Sequence, residues 1–154
     1  MYAKKVLFAL FFGAVSSLYA ADNCSMDIRG TDMMTWTDMA GKPIPVLTVP
    51  ARCDTFTITM WHVGKMPKTA MGHNIVVAKS SDIKGIVKDG MRYGIGTDYL
   101  KPSDTRVLVA SKMIGGGEKT SVKVPVAKIK DGDYSFFCSF LGHDRKMRGR
   151  LEVK

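Results

Sequence analysis

Short stretches in which apolar and polar residues alternate, separated by glycine and proline, recur along most of this 154-residue chain. Alternation with a period of two is typical of a β-strand that buries one face, whereas helices repeat every 3.6 residues. The clearest stretch, residues 55–61, is also rich in the β-branched residues that strands favour. We predict about eight short strands. They would come from nine candidate stretches, 24–30, 33–36, 46–49, 55–61, 74–78, 106–110, 120–124, 133–138 and 148–153.

Residues 82–94 have helical rather than strand-like spacing, because their apolar residues recur three to five positions apart. Ser81 or Asp82 is suited to cap the start of a helix, and Gly94 is suited to end it. One short helix near 82–94 among many short strands predicts an all-β protein. The expected architecture is an antiparallel β-sandwich or barrel.

The first twenty residues differ from the rest of the chain. Lys4 and Lys5 precede a short apolar run, and small residues follow it up to Ala20. This order is typical of a secretory signal peptide, and the apolar run is too short to cross a bilayer. We therefore expect export, a signal peptide at 1–20 and one mature domain over 21–154.

The net charge of +9 restricts the classes of partner. Without Lys4 and Lys5 it would be +7, from 21 basic and 14 acidic residues. Basic proteins attract nucleic acids, acidic lipids or acidic proteins. Because we expect export and predict no membrane-spanning stretch, we expect no nucleic-acid partner and no stable membrane insertion. Most of the charge would then lie on a solvated surface.

Three cysteines occur in the chain. In an exported protein two of three usually pair and the third stays free. Cys24 and Cys53 lie early in the chain, in strand-like surroundings, whereas Cys138 lies between aromatic residues. The economical assignment is a Cys24–Cys53 disulfide, worth about 3–4 kcal/mol on the chain-entropy model. A free Cys138 thiolate would be oxidised if exposed, but a bound metal would protect it.

Soft and nitrogen donors cluster in the last part of the chain. Cys138, His143 and Met147 are spaced as Cys-x4-His-x3-Met between two predicted strands, and His73 lies far upstream after a glycine. Two imidazoles, one thiolate and a weak thioether are the ligand set of a blue-copper electron-transfer site. A stiff sandwich around such a site would change little between Cu(I) and Cu(II), which lowers the barrier to electron transfer.

Each of these residues also has an ordinary structural explanation. A cysteine beside phenylalanines is most often a buried core thiol, a histidine after glycine a turn residue, and Met147 a core side chain. A zinc site would seldom use a thioether, and three nitrogen and sulfur ligands plus water would make a catalytic centre. The chain would lack a metal site only if all these ordinary explanations were true at the same time.

Two other functions stay open beside an electron carrier. A copper enzyme would need a second copper centre, and hence more histidines than the three in the chain, two of which the first site uses. A copper-storage or defence protein would bind the metal without reversible reduction. The carrier is favoured, and we do not expect an enzyme.

Taken together, these motifs resemble those of the azurins, blue-copper proteins of the cupredoxin family. The resemblance covers nearly the whole mature chain and rests on residues 24–28, 71–74, 89–91, 98–102, 117–119 and 136–140. It implies a Greek-key cupredoxin fold with the helix at 82–94 outside the sandwich. It also implies one type 1 copper per chain and a location in the periplasm.

The resemblance further implies a role for individual residues. His73, Cys138 and His143 would be the equatorial copper ligands. Met147 would be the axial ligand, and the Gly72 backbone carbonyl would approach from the opposite side.

The same resemblance assigns the residues around the ligands. Cys24 and Cys53 would form the disulfide, as the cysteine count also suggests. Asn74 and Ser139 would tie the ligand loops together, with Phe140 beside them. His62 matches a buried histidine that is not a ligand.

In azurins the edge of the second histidine emerges through an apolar patch at which partners dock. The patch maps here onto Met34, Met71, Met91, Phe140 and Leu141. Methionine-rich surfaces suit brief encounters, and we expect a cytochrome c-type donor and a reductase or oxidase acceptor. Arg145 and Lys146 stand where small or apolar residues are expected, so we predict a preference for acidic partners.

Overall fold

A computed structural model describes residues 23–154, and the signal peptide that we expect at 1–20 lies outside them. The described chain forms nine strands and three short α-helices. The strands are β1 (Ser25–Gly30), β2 (Trp36–Thr37), β3 (Val46–Val49), β4 (Thr55–His62), β5 (Val76–Lys79), β6 (Val107–Ala110), β7 (Lys119–Pro125), β8 (Tyr134–Phe137) and β9 (Arg148–Val153). The helices are α1 (Lys68–Met71), α2 (Ile83–Gly90) and α3 (Val126–Ile129).

Two sheets enclose one main hydrophobic core. The four-stranded sheet has the order β2-β1-β4-β7, and the five-stranded sheet has the order β3-β9-β8-β5-β6. Ile28 and Met60 of the first sheet belong to the same buried cluster as Leu47 and Phe136 of the second. Burying one face of each sheet against the other removes apolar surface from water. The predicted all-β sandwich is confirmed.

Strand β4 shows why the alternating pattern forms a sheet. Phe56, Ile58 and Met60 are at most 2% exposed, whereas Thr55 and Trp61 face outward. Successive side chains on a strand point to opposite faces, so every second residue enters the core.

The strand pairing departs from a purely antiparallel arrangement. Five neighbouring pairs are antiparallel, but β1 runs parallel to β4 and β3 runs parallel to β9. The β1–β4 pairing follows a change of sheet: the chain leaves β1 and β2, forms β3 in the other sheet and then returns as β4 beside β1. Local alternation predicts a strand but carries no information about such a crossing.

Helix α2 covers the outer face of the five-stranded sheet, as the resemblance implied. Ile83 and Ile86 pack in a second buried cluster with Val76, Ala78 and Phe137. Strand β5 is therefore buried on both faces. The helix ends at Gly90 and not near residue 94, where the sequence predicts its end. A Cβ on Gly90 would clash with the Tyr99 carbonyl oxygen, so a glycine is needed where the end of the helix packs on that backbone.

Cys24 and Cys53 form a disulfide, and Cys138 is free and buried. The predicted pairing is confirmed. The bond links the start of β1 to the segment before β4, two strands that pair side by side. In the described chain no helix combines the length and apolar character that crossing a bilayer requires.

Candidate metal centre

The loop between β8 and β9 is held closed by backbone hydrogen bonds. The Cys138 N–H donates to the Met147 carbonyl oxygen at 3.0 Å, which joins the two ends of the loop. Within it the Met147 N–H donates to the His143 oxygen at 2.7 Å, and the His143 N–H donates to the Phe140 oxygen at 3.0 Å. Gly142 has a φ of 75°, a left-handed conformation that glycine adopts without steric cost. The loop is a compact series of turns.

His73 reaches the same place from a separate segment that follows α1. Its backbone N–H donates to the Ile114 oxygen at 3.0 Å, and the Ile114 N–H donates back at 2.9 Å. The ring Nε2–H donates to the Thr31 carbonyl oxygen at 2.9 Å, which leaves the Nδ1 lone pair free. A Cβ on Gly30 would lie 2.9 Å from His73 Cδ2, so a glycine is needed beneath the ring.

One thiol and two imidazoles meet at one end of the sandwich. Cys138 Sγ lies 4.0 Å from His73 Nδ1 and 3.7 Å from His143 Nδ1. All three donor atoms lie within 4.8 Å of one another. Metal–donor bonds of about 2.0–2.3 Å in a trigonal plane place donor atoms about 3.5–4 Å apart. The spacing therefore fits a single metal ion.

Burial controls the protonation of these donors in the metal-free chain. It raises the pKa of the Cys138 thiol to about 12, and backbone hydrogen bonds from Asn74 and Phe140 oppose part of that increase. Burial also lowers the pKa of His73 and of His143 to about 4. Both imidazoles are therefore neutral at pH 7, which is the form that binds a metal. The thiol must lose its proton when a metal binds.

The donor set suits copper. Thiolate and thioether sulfur favour Cu(I), while imidazole serves both oxidation states. Catalytic zinc keeps one coordination position open to water. Here Cys138 and His73 are 0% exposed and His143 is 2% exposed, so the donors form a site closed to solvent.

The resemblance also predicts two weaker donors, the Gly72 carbonyl oxygen and the Met147 thioether. The Gly72 carbonyl oxygen lies 3.7 Å from Cys138 Sγ, and Met147 is fully buried at the end of the loop. Their roles as ligands remain predictions.

Asn74 and Ser139 connect the two ligand segments. The Ser139 N–H donates to Asn74 Oδ1 at 2.9 Å, and Asn74 Nδ2 donates to Ser139 Oγ at 2.9 Å. The Ser139 hydroxyl in turn donates to the Asp98 carbonyl oxygen at 2.6 Å. Asn74 follows His73 and Ser139 follows Cys138 in the chain, so this network links the two segments that carry these candidate donors.

His62 supports the centre without being available as a ligand. Its Nδ1 accepts from the Gly64 N–H at 3.1 Å, and its Nε2–H donates to the Met71 carbonyl oxygen at 2.8 Å. The ring stacks on His73 with centroids 4.2 Å apart. Both ring nitrogens of His62 are engaged in hydrogen bonds, and the residue is buried, as the resemblance implied.

Sequence reasoning missed two contacts of His73. The Thr31 carbonyl, which sets the His73 tautomer, comes from a loop 42 residues upstream. Trp36 places its ring edge against His73 with centroids 6.3 Å apart. Neither contact has a local signal, since both depend on how β1 and β2 lie beside the ligand segment.

The predicted docking patch is partly exposed. Met91 is 52% and Leu141 is 46% exposed, whereas Met34 and Met71 are half-buried. The charged members of the predicted site, Arg145 and Lys146, are both exposed.

Phe140 lies beneath this surface rather than on it. It is 8% exposed, and its ring packs on His143 with centroids 4.6 Å apart and on Tyr99 at 5.2 Å. His143 itself is nearly covered. The resemblance implied a histidine edge that emerges at the surface, but His143 is only 2% exposed and the Phe140 ring packs against it.

A two-sheet β-sandwich that buries one thiol and two imidazoles at one end defines a protein of the cupredoxin class. Residues 23–154 match the model of a family described as copper binding proteins, plastocyanin/azurin family. The chain therefore belongs to the plastocyanin/azurin family, and the resemblance noted in its motifs is confirmed.

Individual relatives agree with this assignment. The chain is 41% identical over 152 residues to an azurin of Pseudomonas aeruginosa, covering 98% of this chain and 99% of the relative. It is 46% identical over 132 residues to an azurin of Pseudomonas denitrificans, covering 85% and 98%. An azurin of Bordetella pertussis is 43% identical over 152 residues, covering 97% of each chain.

Proposed function

We propose that this chain carries single electrons between redox proteins through one type 1 copper ion held by His73, Cys138 and His143, with Met147 and the Gly72 carbonyl as weaker ligands. The observation that carries the proposal is the buried triad, whose donor atoms lie within 4.8 Å of one another in a site closed to solvent. When bound, copper supplies the one-electron Cu(I)/Cu(II) couple.

The residues around the donor atoms would keep those atoms in the same positions when copper changes oxidation state. The Thr31 carbonyl orients His73, and the Asn74–Ser139 pair joins the two ligand segments. Backbone N–H groups of Asn74 and Phe140 point at the Cys138 sulfur and stabilise its negative charge. A site that is already arranged needs little movement on reduction, which favours fast transfer.

The same features favour a carrier over an enzyme. A catalyst needs an open position where substrate meets the metal, whereas these donors are at most 2% exposed. A second copper centre would need further histidines. His62, the third histidine of the chain, uses both ring nitrogens in hydrogen bonds.

Electrons would cross the surface near His143. The exposed side chains of Met91 and Leu141 provide apolar contact there, and Arg145 and Lys146 add positive charge. Such a surface suits small, short-lived contacts with acidic partners, namely a cytochrome c-type donor and a reductase or oxidase acceptor.

We place the carrier in the periplasm as a single mature domain over 21–154. Two features support this location: the charged and apolar order of residues 1–20, and the Cys24–Cys53 disulfide, which persists in oxidising compartments.

A redox titration tests the proposal. The copper-loaded protein is reduced stepwise and then reoxidised while its visible absorption is recorded. We expect one electron per chain and full recovery of the spectrum on reoxidation. Copper that binds but is not reversibly reduced and reoxidised would contradict the proposal and favour a copper-storage or defence protein.

A further inference from the structure

A groove of about 330 Å³ lies between α2 and the ligand loop, outside the copper site. Helix α2 lines one side with Lys84, Val87, Lys88 and Met91, the last being the residue directly after the helix. The ligand loop lines the other side with Gly142, Asp144 and Arg145. We call this feature the α2 groove.

The α2 groove carries an excess of positive charge. Lys84, Lys88 and Arg145 face a single carboxylate, that of Asp144. None of the three cations has an ion-pair partner among residues 23–154. Lys84 and Lys88 are also four residues apart on one helix, where like charges repel. An anionic group in the groove would relieve that repulsion.

Two of the residues that line the α2 groove, Val87 and Met91, are apolar. Val87 is half-buried, and Met91 is 52% exposed. Apolar side chains beside cations match a protein segment in which carboxylates flank one apolar side chain.

Helix α2, which forms one side of the groove, is anchored to the rest of the fold. Arg106 Nη2 binds Asp89 of α2 at 2.7 Å and Asp104 at 2.6 Å, which ties the helix to the start of β6. Ile83 and Ile86 anchor the buried face of the same helix. A preformed groove loses less conformational entropy on binding than one that must be ordered.

We propose that the α2 groove is a docking site for an acidic segment of the redox protein that exchanges electrons with this chain. Its occupant would lie beside His143, since Gly142 and Asp144 flank that ligand in the chain. This inference rests on the proposed electron-carrier function and specifies the partner. A second copy of the chain is a poor occupant, because its net charge has the same sign.

A short peptide tests the groove directly. The probe is an N-acetylated, C-amidated Glu-Glu-Leu-Glu-Glu peptide, titrated at low ionic strength into isotopically labelled, Cu(I)-loaded protein. We expect saturable amide shifts concentrated at Lys84, Lys88, Met91 and Arg145. Shifts scattered over lysines throughout the surface would overturn the proposal.

Charge reversal provides the matched comparison. The variant Lys84→Glu/Lys88→Glu should weaken peptide binding about tenfold or more. The control Lys123→Glu/Lys128→Glu makes the same change in net charge at exposed lysines of β7 and α3 that do not line the groove. It should retain most of the affinity. Equal losses of peptide affinity in both variants would show an effect of net charge alone and would contradict a docking site in the α2 groove.

Two further measurements separate the alternatives. Vesicles containing phosphatidylglycerol should compete only weakly with the peptide for the α2 groove. If vesicles bound more strongly than the peptide at the same residues, the occupant of the groove would be a membrane surface and the proposal of a protein partner would be wrong. Redox titration of each variant reports the copper centre independently. Reversible cycling without peptide binding would refute the docking site alone, whereas failure of the wild type to cycle would refute the carrier function.

Discussion

Asn74 and Ser139 join the two segments that bring His73 and Cys138 together. Both residues are at most 1% exposed, and they exchange two hydrogen bonds of 2.9 Å. The pair therefore belongs to the frame of the site before any metal binds.

Removing this link should destabilise the metal-free protein. Asn74→Ala leaves the buried Ser139 N–H without its acceptor, a loss of about 2–3 kcal/mol. Urea denaturation of the metal-free protein measures it. Ser121→Ala, at an exposed position, is the control and should change stability by less than about 0.5 kcal/mol. Similar losses in both variants would show that the pair does not stabilise the fold.

Copper binding should release one proton between pH 5 and 8. Burial raises the Cys138 pKa to about 12, so the metal-free thiol is protonated, while His73 and His143, with pKa values of about 4, are already neutral. A bound metal ion takes the thiolate, so the apparent affinity should rise about tenfold per pH unit.

Calorimetry in buffers of different ionisation enthalpy counts the released protons. A pH-independent affinity over this range would mean that the Cys138 thiolate is not a ligand.

Met147 should adjust the potential rather than hold the metal. A thioether is the weak member of this donor set, so Met147→Ala should retain copper and change the reduction potential. Voltammetry of the loaded variant measures the change, and metal analysis gives its copper content. Loss of copper from the folded variant would mean that Met147 is a main ligand, and an unchanged potential would exclude it as one.

Salt should weaken electron exchange with anionic reagents. Arg145 and Lys146 are exposed beside the ligand loop, and ions screen such charges over about 10 Å at 0.1 M salt. The rate of reduction by hexacyanoferrate(II) should fall with ionic strength, and Arg145→Glu/Lys146→Glu should reduce that dependence. The Lys123→Glu/Lys128→Glu protein is again the control. If the wild-type rate did not change with salt, the charges of Arg145 and Lys146 would have no electrostatic role in the reaction.

The sequence allowed prediction of those features of the fold and the site that depend on short local patterns. Alternation located the strands, such as β4, and the spacing of Cys138, His143 and Met147 in one loop suggested a shared site. The cysteine count, together with the surroundings of each cysteine, predicted the Cys24–Cys53 disulfide, which the structure confirms. These features can be predicted from sequence because each depends on a short stretch of the chain or on the number of residues of one type.

The features that sequence reasoning missed depend on contacts between distant segments. The parallel pairing of β1 with β4 follows from the passage of the chain through the other sheet. The tautomer of His73 is set by a carbonyl 42 residues away. The α2 groove combines a helix with a loop that begins about fifty residues later in the chain.

The most direct test of the central claim is the visible spectrum of the oxidised, copper-loaded protein beside that of Cys138→Ser. Charge transfer from the Cys138 thiolate to Cu(II) should give the wild type an intense blue colour. The serine variant should lack that absorption, even where it still binds copper. A colourless wild type, or a serine variant that stays blue, would contradict the account.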